Sequence, residues 1–331
     1  MATLSTTNPT LADVAKRYDP DGKIDTIVEL LSETNEVLED MTFLEGNLPT
    51  GHKTTIRSGL PSSTWRKLNY GVQPSKSTTV QVTDTAGMLE AYAEVDKALA
   101  DLNGNTASFR LSEDRAFLES MNQEMANTLF YGDTGTDPEK FMGLAPRYSS
   151  LSAESGDNII VGGGSGSDNT SVWLVVWGGN TCHGIYPKGS QAGLKHTDLG
   201  EVTLEDAASG KYQGYRTHYK WDIGVSLRDW RYVVRIPNID VSNLHKDGSS
   251  GSSAALVDLM VQAIELVPNL SLGRAVFYGN RTISSILRRQ ITNTTNVRLS
   301  MDEVAGKRVM SFDGIPFRRN DAITNAEAAV A

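Results

Sequence analysis

Catalysis would need nucleophiles, acid–base pairs, metal ligands or a phosphate cradle at workable spacing, and this chain offers few candidates. Cys182 and His183 are adjacent and would start a metal site. Zinc takes about four ligands, yet His52, His196, His218 and His245 are scattered without paired spacing. Cys182 therefore reads as a small buried apolar residue. The run Gly162-Gly163-Gly164-Ser165-Gly166 invites a phosphate-loop reading. Such a loop needs Lys-Ser or Lys-Thr directly after the glycines and a helix to receive the phosphate. Here Ser167-Asp168-Asn169-Thr170 follows, then a strand pattern, and the run reads as a flexible surface loop. Neither a Gly-x-Ser-x-Gly elbow nor His-Glu-x-x-His occurs. Carboxylate pairs exist in any chain of this size and do not by spacing alone make a glycosidase. Tyr215, Arg216, Tyr219, Lys220, Trp221, Arg228, Trp230, Arg231, Tyr232 and Arg235 mix aromatic and basic residues, as nucleic-acid surfaces do. The same mixture suits two strands with one aromatic face or a protein interface, and that reading is favoured. No catalytic, cofactor-binding or metal-ligating residue is assigned.

The residues that do stand out are basic and aromatic. The chain has 331 residues and a formal net charge of -9, yet Gly46 to Thr83 holds no acid and carries Lys53, Arg57, Arg66, Lys67 and Lys76. The flanks Met1–Glu45 and Asp84–Asp133 each hold ten acids against three bases. Trp65, Leu68 and Tyr70 sit at the centre of the basic segment. The segment is either a loop that happens to be basic or one that lies on an acidic surface, such as that of a neighbouring copy of the chain; in the second reading Arg57, Trp65, Arg66, Lys67, Tyr70 and Lys76 are the candidate contact residues.

Those residues must be presented by a hairpin. Thr54–Arg57 and Thr78–Thr83 are β-branched and suit strands, and between them lie Gly59, Pro61, Gly71 and Pro74. A two-stranded ribbon is marginal alone in water, so its aromatic tip needs a partner within the chain or across a subunit boundary. Before it, Asp21 would cap a helix with Ile24, Ile27, Val28 and Leu31 at helical spacing. After it, a strand is expected to about Val95 and a short helix through Leu102, stopped by Asn103-Gly104. Ser112 then reads as the N-cap of a helix to Tyr131, with Phe117, Met121, Met125 and Leu129 on one face. That helix would be roughly 30 Å long. A mostly β region follows, with strands at Ser171–Trp177, Thr181–Tyr186 and at least two within Gly214–Ile236. Helices are expected at Ser252–Val267 and Arg281–Ile291, flanking a strand at Ala275–Tyr278. A hairpin turning on Asp313-Gly314 closes the chain. There is no internal repeat. The single cysteine rules out an internal disulfide framework and fits a reducing compartment. The N-terminus lacks a signal-peptide pattern, and the longest apolar runs are too short to span a bilayer. The sequons at Asn169 and Asn269 carry no weight without such a signal.

The order of arm, polar hairpin, long helix, β-rich region and C-terminal return resembles the major capsid proteins of tailed double-stranded DNA phages. The resemblance is to the podovirus-type branch found in Bordetella phage. It is carried by Leu129-Phe-Tyr-Gly-Asp with Glu139-Lys-Phe-Met-Gly-Leu, and by Trp173-Leu-Val-Val-Trp-Gly with His183-Gly-Ile-Tyr-Pro-Lys-Gly. Tyr215-Arg-Thr-His-Tyr-Lys-Trp-Asp-Ile-Gly, Arg228-Asp-Trp-Arg-Tyr, Phe277-Tyr-Gly-Asn-Arg-Thr-Ile and Phe312-Asp-Gly-Ile-Pro-Phe-Arg-Arg-Asn-Asp-Ala-Ile continue it over nearly the whole chain.

The resemblance implies the α+β HK97-like capsid fold. Its parts would be an N-terminal arm over 1–47, an extended E-loop hairpin over 48–83 and a P-domain over 84–157 with its spine helix at 112–131. Most of an A-domain would lie over 158–267, with a C-terminal return over 268–331. It further implies a homo-oligomer of pentamers and hexamers closing an icosahedral shell around double-stranded DNA, without sequence-specific binding, membrane or cofactor. A separate scaffolding protein, a portal and a possible decoration protein would be its partners. The shell would assemble in the bacterial host cytoplasm and reside in the virion. The acidic balance agrees, because a coat filled by a packaging motor need not neutralise the genome, whereas a condensing coat should be basic. The alternatives are another phage structural component, such as a decoration or tail protein, and a soluble α+β hydrolase.

Overall fold

The computed structural model describes residues 33, 35–102, 106–206, 208–244, 255–293, 299–304 and 307–331. The N-terminal helix expected around Asp21, the stop at Asn103-Gly104 and the first turn of the helix expected from Ser252 lie outside the described residues. Two compact units are present, the larger formed by Glu36–Gly87, Asn127–Ala192 and Ile223–Ala331. At its centre runs β4 (Asn169–Trp177), buried at every position. It pairs antiparallel with β8 (Val233–Asp240) on one side, Leu174 opposite Val234, and with β9 (Arg274–Gly279) on the other, Leu174 opposite Phe277. A continuous apolar run such as Val-Trp-Leu-Val-Val-Trp reads as a strand covered on both faces, and successive side chains point to opposite faces. Val172, Leu174 and Val176 face a core closed by α4 (Leu256–Leu266), α5 (Arg281–Asn293), Phe312 and Phe317. Trp173 packs against Phe130 and Tyr148, ring centroids 5.9 and 6.1 Å away, and the Trp177 indole donates to the Tyr278 hydroxyl at 2.8 Å.

The strand order in this unit runs β10 (Leu299–Val304), β11 (Lys307–Phe312), β12 (Ile315–Arg319), β9, β4, β5 (Cys182–Tyr186) and the end of β7 (Lys211–Leu227). The turn between β11 and β12 falls at Asp313-Gly314, both with positive φ (52° and 80°), as a tight two-residue hairpin requires. A short helix α1 (Val37–Asp40) places the buried Asp40 carboxylate on Arg274 at 2.7 Å and on the Tyr278 hydroxyl at 2.9 Å. The C-terminal segment returns across the sheet. Glu327 accepts from Ser171 Oγ at 2.6 Å and pairs with the buried Arg235 at 2.8 Å, while Tyr131 also donates to it.

The smaller unit, described by itself, holds the distal part of β3 (Thr78–Asp96), α2 (Lys97–Ala100), most of α3 (Thr106–Tyr131), β6 (Lys195–Glu205) and the first part of β7. Its apolar side chains close two small clusters, Val95 with Ala100 and Phe109, and Ala93 with Met121 and Tyr219. The strand and short helix expected after the hairpin are present as β3 and α2.

Two expectations need correction, and two strands were not expected. The long helix starts at Thr106, not at an N-cap Ser112, and spans 26 residues or roughly 39 Å. Phe109 is the reason: it is fully buried and lies eight residues before Phe117, two steps back along the same four-residue repeat. The glycine run is no free loop, because the Gly162 and Gly164 amides donate to the carbonyls of Pro237 and Asn238 at 2.9 and 2.7 Å. It passes along β8, and β4 follows it. Strands β6 and β10 were not anticipated; β6 is almost wholly exposed and shows no apolar stripe to read.

A candidate assembly hairpin and its buried root

The expected hairpin forms from β2 (Gly51–Gly59) and the first part of β3, antiparallel from Gly51 opposite Thr85 to Gly59 opposite Thr78. Both strands are longer than their β-branched cores predicted. Between them the tip, residues 60–77, contains no regular element beyond a turn. Tyr70 N–H donates to the Lys67 carbonyl at 3.2 Å, Arg66 Nε donates to the Tyr70 carbonyl at 3.2 Å, and Asn69 takes a positive φ of 67°. Asn tolerates that left-handed conformation better than most residues.

The tip's side chains are left in solvent. Trp65 is wholly exposed, Leu68 is 89% exposed and Tyr70 70%. Arg66 and Lys67 stand on the same turn, whereas Arg57 lies in β2 opposite Thr79 and Lys76 on the returning limb. The six predicted residues therefore fall into a tip group and a flanking pair. All six are exposed, and no ion pair joins Arg57, Arg66, Lys67 or Lys76 to a described residue.

The root is the reverse. Gly51 enters where a Cβ would stand 2.1 Å from the Asp84 carbonyl oxygen, so only glycine fits. The Asp84 carboxylate, 4% exposed, pairs with Arg147 at 2.8 Å. The same guanidinium donates to the carbonyls of Gly143, Met142 and Val225 at 3.2 to 3.3 Å. Arg228 Nη2 lies 3.1 Å from His52 Nε2, which sets His52 as the acceptor with its proton on Nδ1. His52 meets His183 edge-to-face at 5.8 Å. Burial first, then the nearby Arg228 charge, lower both imidazoles; His183 is brought to about 4. Burial likewise pushes the Cys182 thiol up to about 12, leaving it an inert core residue as expected. Among the described residues no group of three His, Cys, Asp or Glu side chains could hold a metal. No described helix is long and apolar enough to cross a membrane.

Sequence reasoning missed this root. Its one local signal is Asp84, the first acid after the acid-free stretch. The aromatic–basic segment of β7 and β8 resolves mainly to internal pairing: Arg216 with Glu94 at 2.6 Å, Lys220 with Glu90 at 3.0 Å, and Arg235 with Glu327.

Comparison with known proteins fits this picture of a sheet-centred α+β body carrying an extended hairpin. A chain from the structure of bacteriophage Epsilon15 is 42% identical, with a TM-score of 0.79, covering 100% of this chain and 99% of that one. The bacteriophage JBD30 capsid shares the fold at 8% identity and a TM-score of 0.50, covering 88% of this chain and 92% of that one. No curated protein sequence matches. The fold is that of HK97-like phage capsid proteins. The family model for major capsid protein GP7 matches residues 19–331, and the chain belongs to that family. It is a major coat protein of an icosahedral phage shell, a structural component of the virion built from many copies of itself.

Proposed function

We propose that the hairpin over 48–83 is the element that joins neighbouring copies, docking on an acidic surface of the next subunit. Arg57, Trp65, Arg66, Lys67, Tyr70 and Lys76 would carry the contact. The observation behind this is the exposed tip: Trp65, Leu68 and Tyr70 stand in water on a ribbon that cannot bury them. Aromatic residues and Arg are the anchors of protein interfaces. The copies form pentamers and hexamers that close around double-stranded DNA, in an assembly completed in the host cytoplasm with a scaffolding protein, a portal and a possible decoration protein. The role is architectural, with no catalytic step. Within the subunit, 1–47 serves as the arm, 84–157 as the P-domain, 158–267 as most of the A-domain and 268–331 as the return.

The test is charge reversal. Arg66→Glu with Lys67→Glu should leave the subunit folded by circular dichroism and lower the yield of closed particles several-fold. Unchanged particle yield in electron micrographs would remove the hairpin from the interface.

A further inference from the structure

A second acid-free segment exists in this acidic chain. Between Glu265 and Asp302 there is no Asp or Glu, and the cations are five arginines: Arg274, Arg281, Arg288, Arg289 and Arg298. Helix α5 displays three of them. Asn280 caps it, its side-chain oxygen accepting from the Ile283 amide at 3.0 Å. Ile283, Ile286, Leu287 and Gln290 are buried and fix which face turns inward. Arg281, Ser285, Arg288 and Arg289, at i, i+4, i+7 and i+8, then share the outer face, and all three arginines are exposed. Arg289 donates to Ser285 Oγ at 3.3 Å, aligning guanidinium and hydroxyl along the stripe. Asp321 approaches the stripe but is held in two bonds by Arg319 at 2.6 and 2.9 Å, with Arg281 more distant at 3.3 Å.

We propose that this stripe of α5 is the surface that meets the phosphate backbone of double-stranded DNA. The inference rests on the reading that the shell encloses DNA. The choice of nucleic acid over an acidic protein follows from what the stripe lacks. At the hairpin tip the cations are interleaved with Trp65, Leu68 and Tyr70, the apolar anchors of a protein contact. Among the described side chains of α5 the exposed ones are the three arginines, with Ser285 half-buried between them and no large apolar residue exposed. Arginine and hydroxyl groups are the usual partners of phosphate oxygens, and the guanidinium fork binds them in pairs. Contacts of this kind ignore base sequence, as a coat that accepts any packaged genome requires.

The test titrates a short DNA duplex against purified full-length subunit across a salt series. Each phosphate contact contributes about 0.9 to the slope of log affinity against log salt. Arg281→Gln with Arg288→Gln and Arg289→Gln should therefore flatten the slope by up to about 2.7 and weaken binding at least about tenfold near 50 mM salt. The matching Lys variant keeps the charges and should retain most of the slope, which separates lost contact from lost fold. No DNA binding by the wild-type subunit, or an unchanged slope in the Gln variant, overturns the assignment. So does an equal loss in a control carrying Arg57, Arg66, Lys67 and Lys76 as Gln. If polyglutamate displaces the duplex from wild type as well as unlabelled duplex does, the stripe is a protein-docking surface and the proposal falls. Electron microscopy of the same preparations reads shell closure independently, so failure of the shell reading would be visible there and not in the slope.

Discussion

At the root of the hairpin, His52, Asp84, Arg147, His183 and Arg228 are drawn into the body of the subunit, with Asp84 paired to Arg147 and the guanidinium also donating to three carbonyls. At the tip of the same two strands, Trp65, Leu68 and Tyr70 are in water and the neighbouring cations have no acid to pair with among the described residues. The root holds itself in place with groups from its own chain, and a buried charge is tolerated only because its partners are present. The tip has hydrophobic area and charge but nothing of its own to set them against. A hairpin so built has its direction fixed at one end and its binding energy left for a partner at the other.

The sharpest way to break this contrast is to empty the root. Asp84→Ala leaves the Arg147 guanidinium buried beside carbonyls alone, and removing one partner of a buried pair costs about 3–5 kcal/mol. The shift would be read from the urea midpoint of the unassembled subunit. A loss under about 1 kcal/mol would mean that water reaches the root and that the two ends differ less than their burial suggests.

The next largest effect comes from pH. Both root imidazoles have folded values below the ordinary 6.5, so between 6.5 and the folded value the unfolded chain binds more protons. Stability is therefore complete above about pH 6.5 and falls as pH drops towards about 4. At about 1.4 kcal/mol per pH unit of displacement, His183 alone accounts for up to about 3 kcal/mol. Urea titrations at neutral and mildly acid pH should show the loss, and His183→Gln should remove most of it. A smaller penalty, about 1–3 kcal/mol, is expected for Gly51→Ala, whose new methyl group would press on the Asp84 carbonyl. Thermal unfolding of that variant, at constant pH, measures it.

How much of this was legible follows the range of the interactions. The hairpin strands, the buried β4 and the Asp313-Gly314 turn are local patterns, and β-branching, a continuous apolar run and turn chemistry reveal them directly. The start of α3 was also local, since Phe109 continues the stripe of Phe117, Met121 and Met125; Ser112, a good cap in isolation, drew the boundary inward. The root is different in kind. His52 and Arg228 meet across 176 positions, and Arg147 reaches Asp84 across 63 and Val225 across 78. No periodicity links such residues, so only the folded chain brings them together. The α5 stripe lies between these cases: its missing acids are visible in the sequence, but its outward direction is known only once Ile283, Ile286 and Leu287 are seen to be buried.

The smallest change in subunit stability should come from the tip, and there it is the contrast with assembly that matters. Trp65→Ala and Tyr70→Ala remove side chains that touch little of their own chain, so each should shift the unfolding midpoint by no more than about 0.5 kcal/mol. In an interface the same truncations should act as losses of about 2 kcal/mol or more, against under about 1 kcal/mol for an exposed ion pair at Lys67 or Lys76. Repeated at every subunit contact of a shell, that difference becomes a steep one in the protein concentration needed for closure. Light scattering against concentration should rank Trp65→Ala as the most impaired, Tyr70→Ala next, and Lys67→Ala nearest to wild type. If Trp65→Ala instead unfolds as readily as Asp84→Ala, the tip packs on its own subunit and the hairpin is no open arm. If Lys67→Ala is the most impaired, charge and not the aromatic side chains makes the joint, and the partner surface must be sought among acids alone.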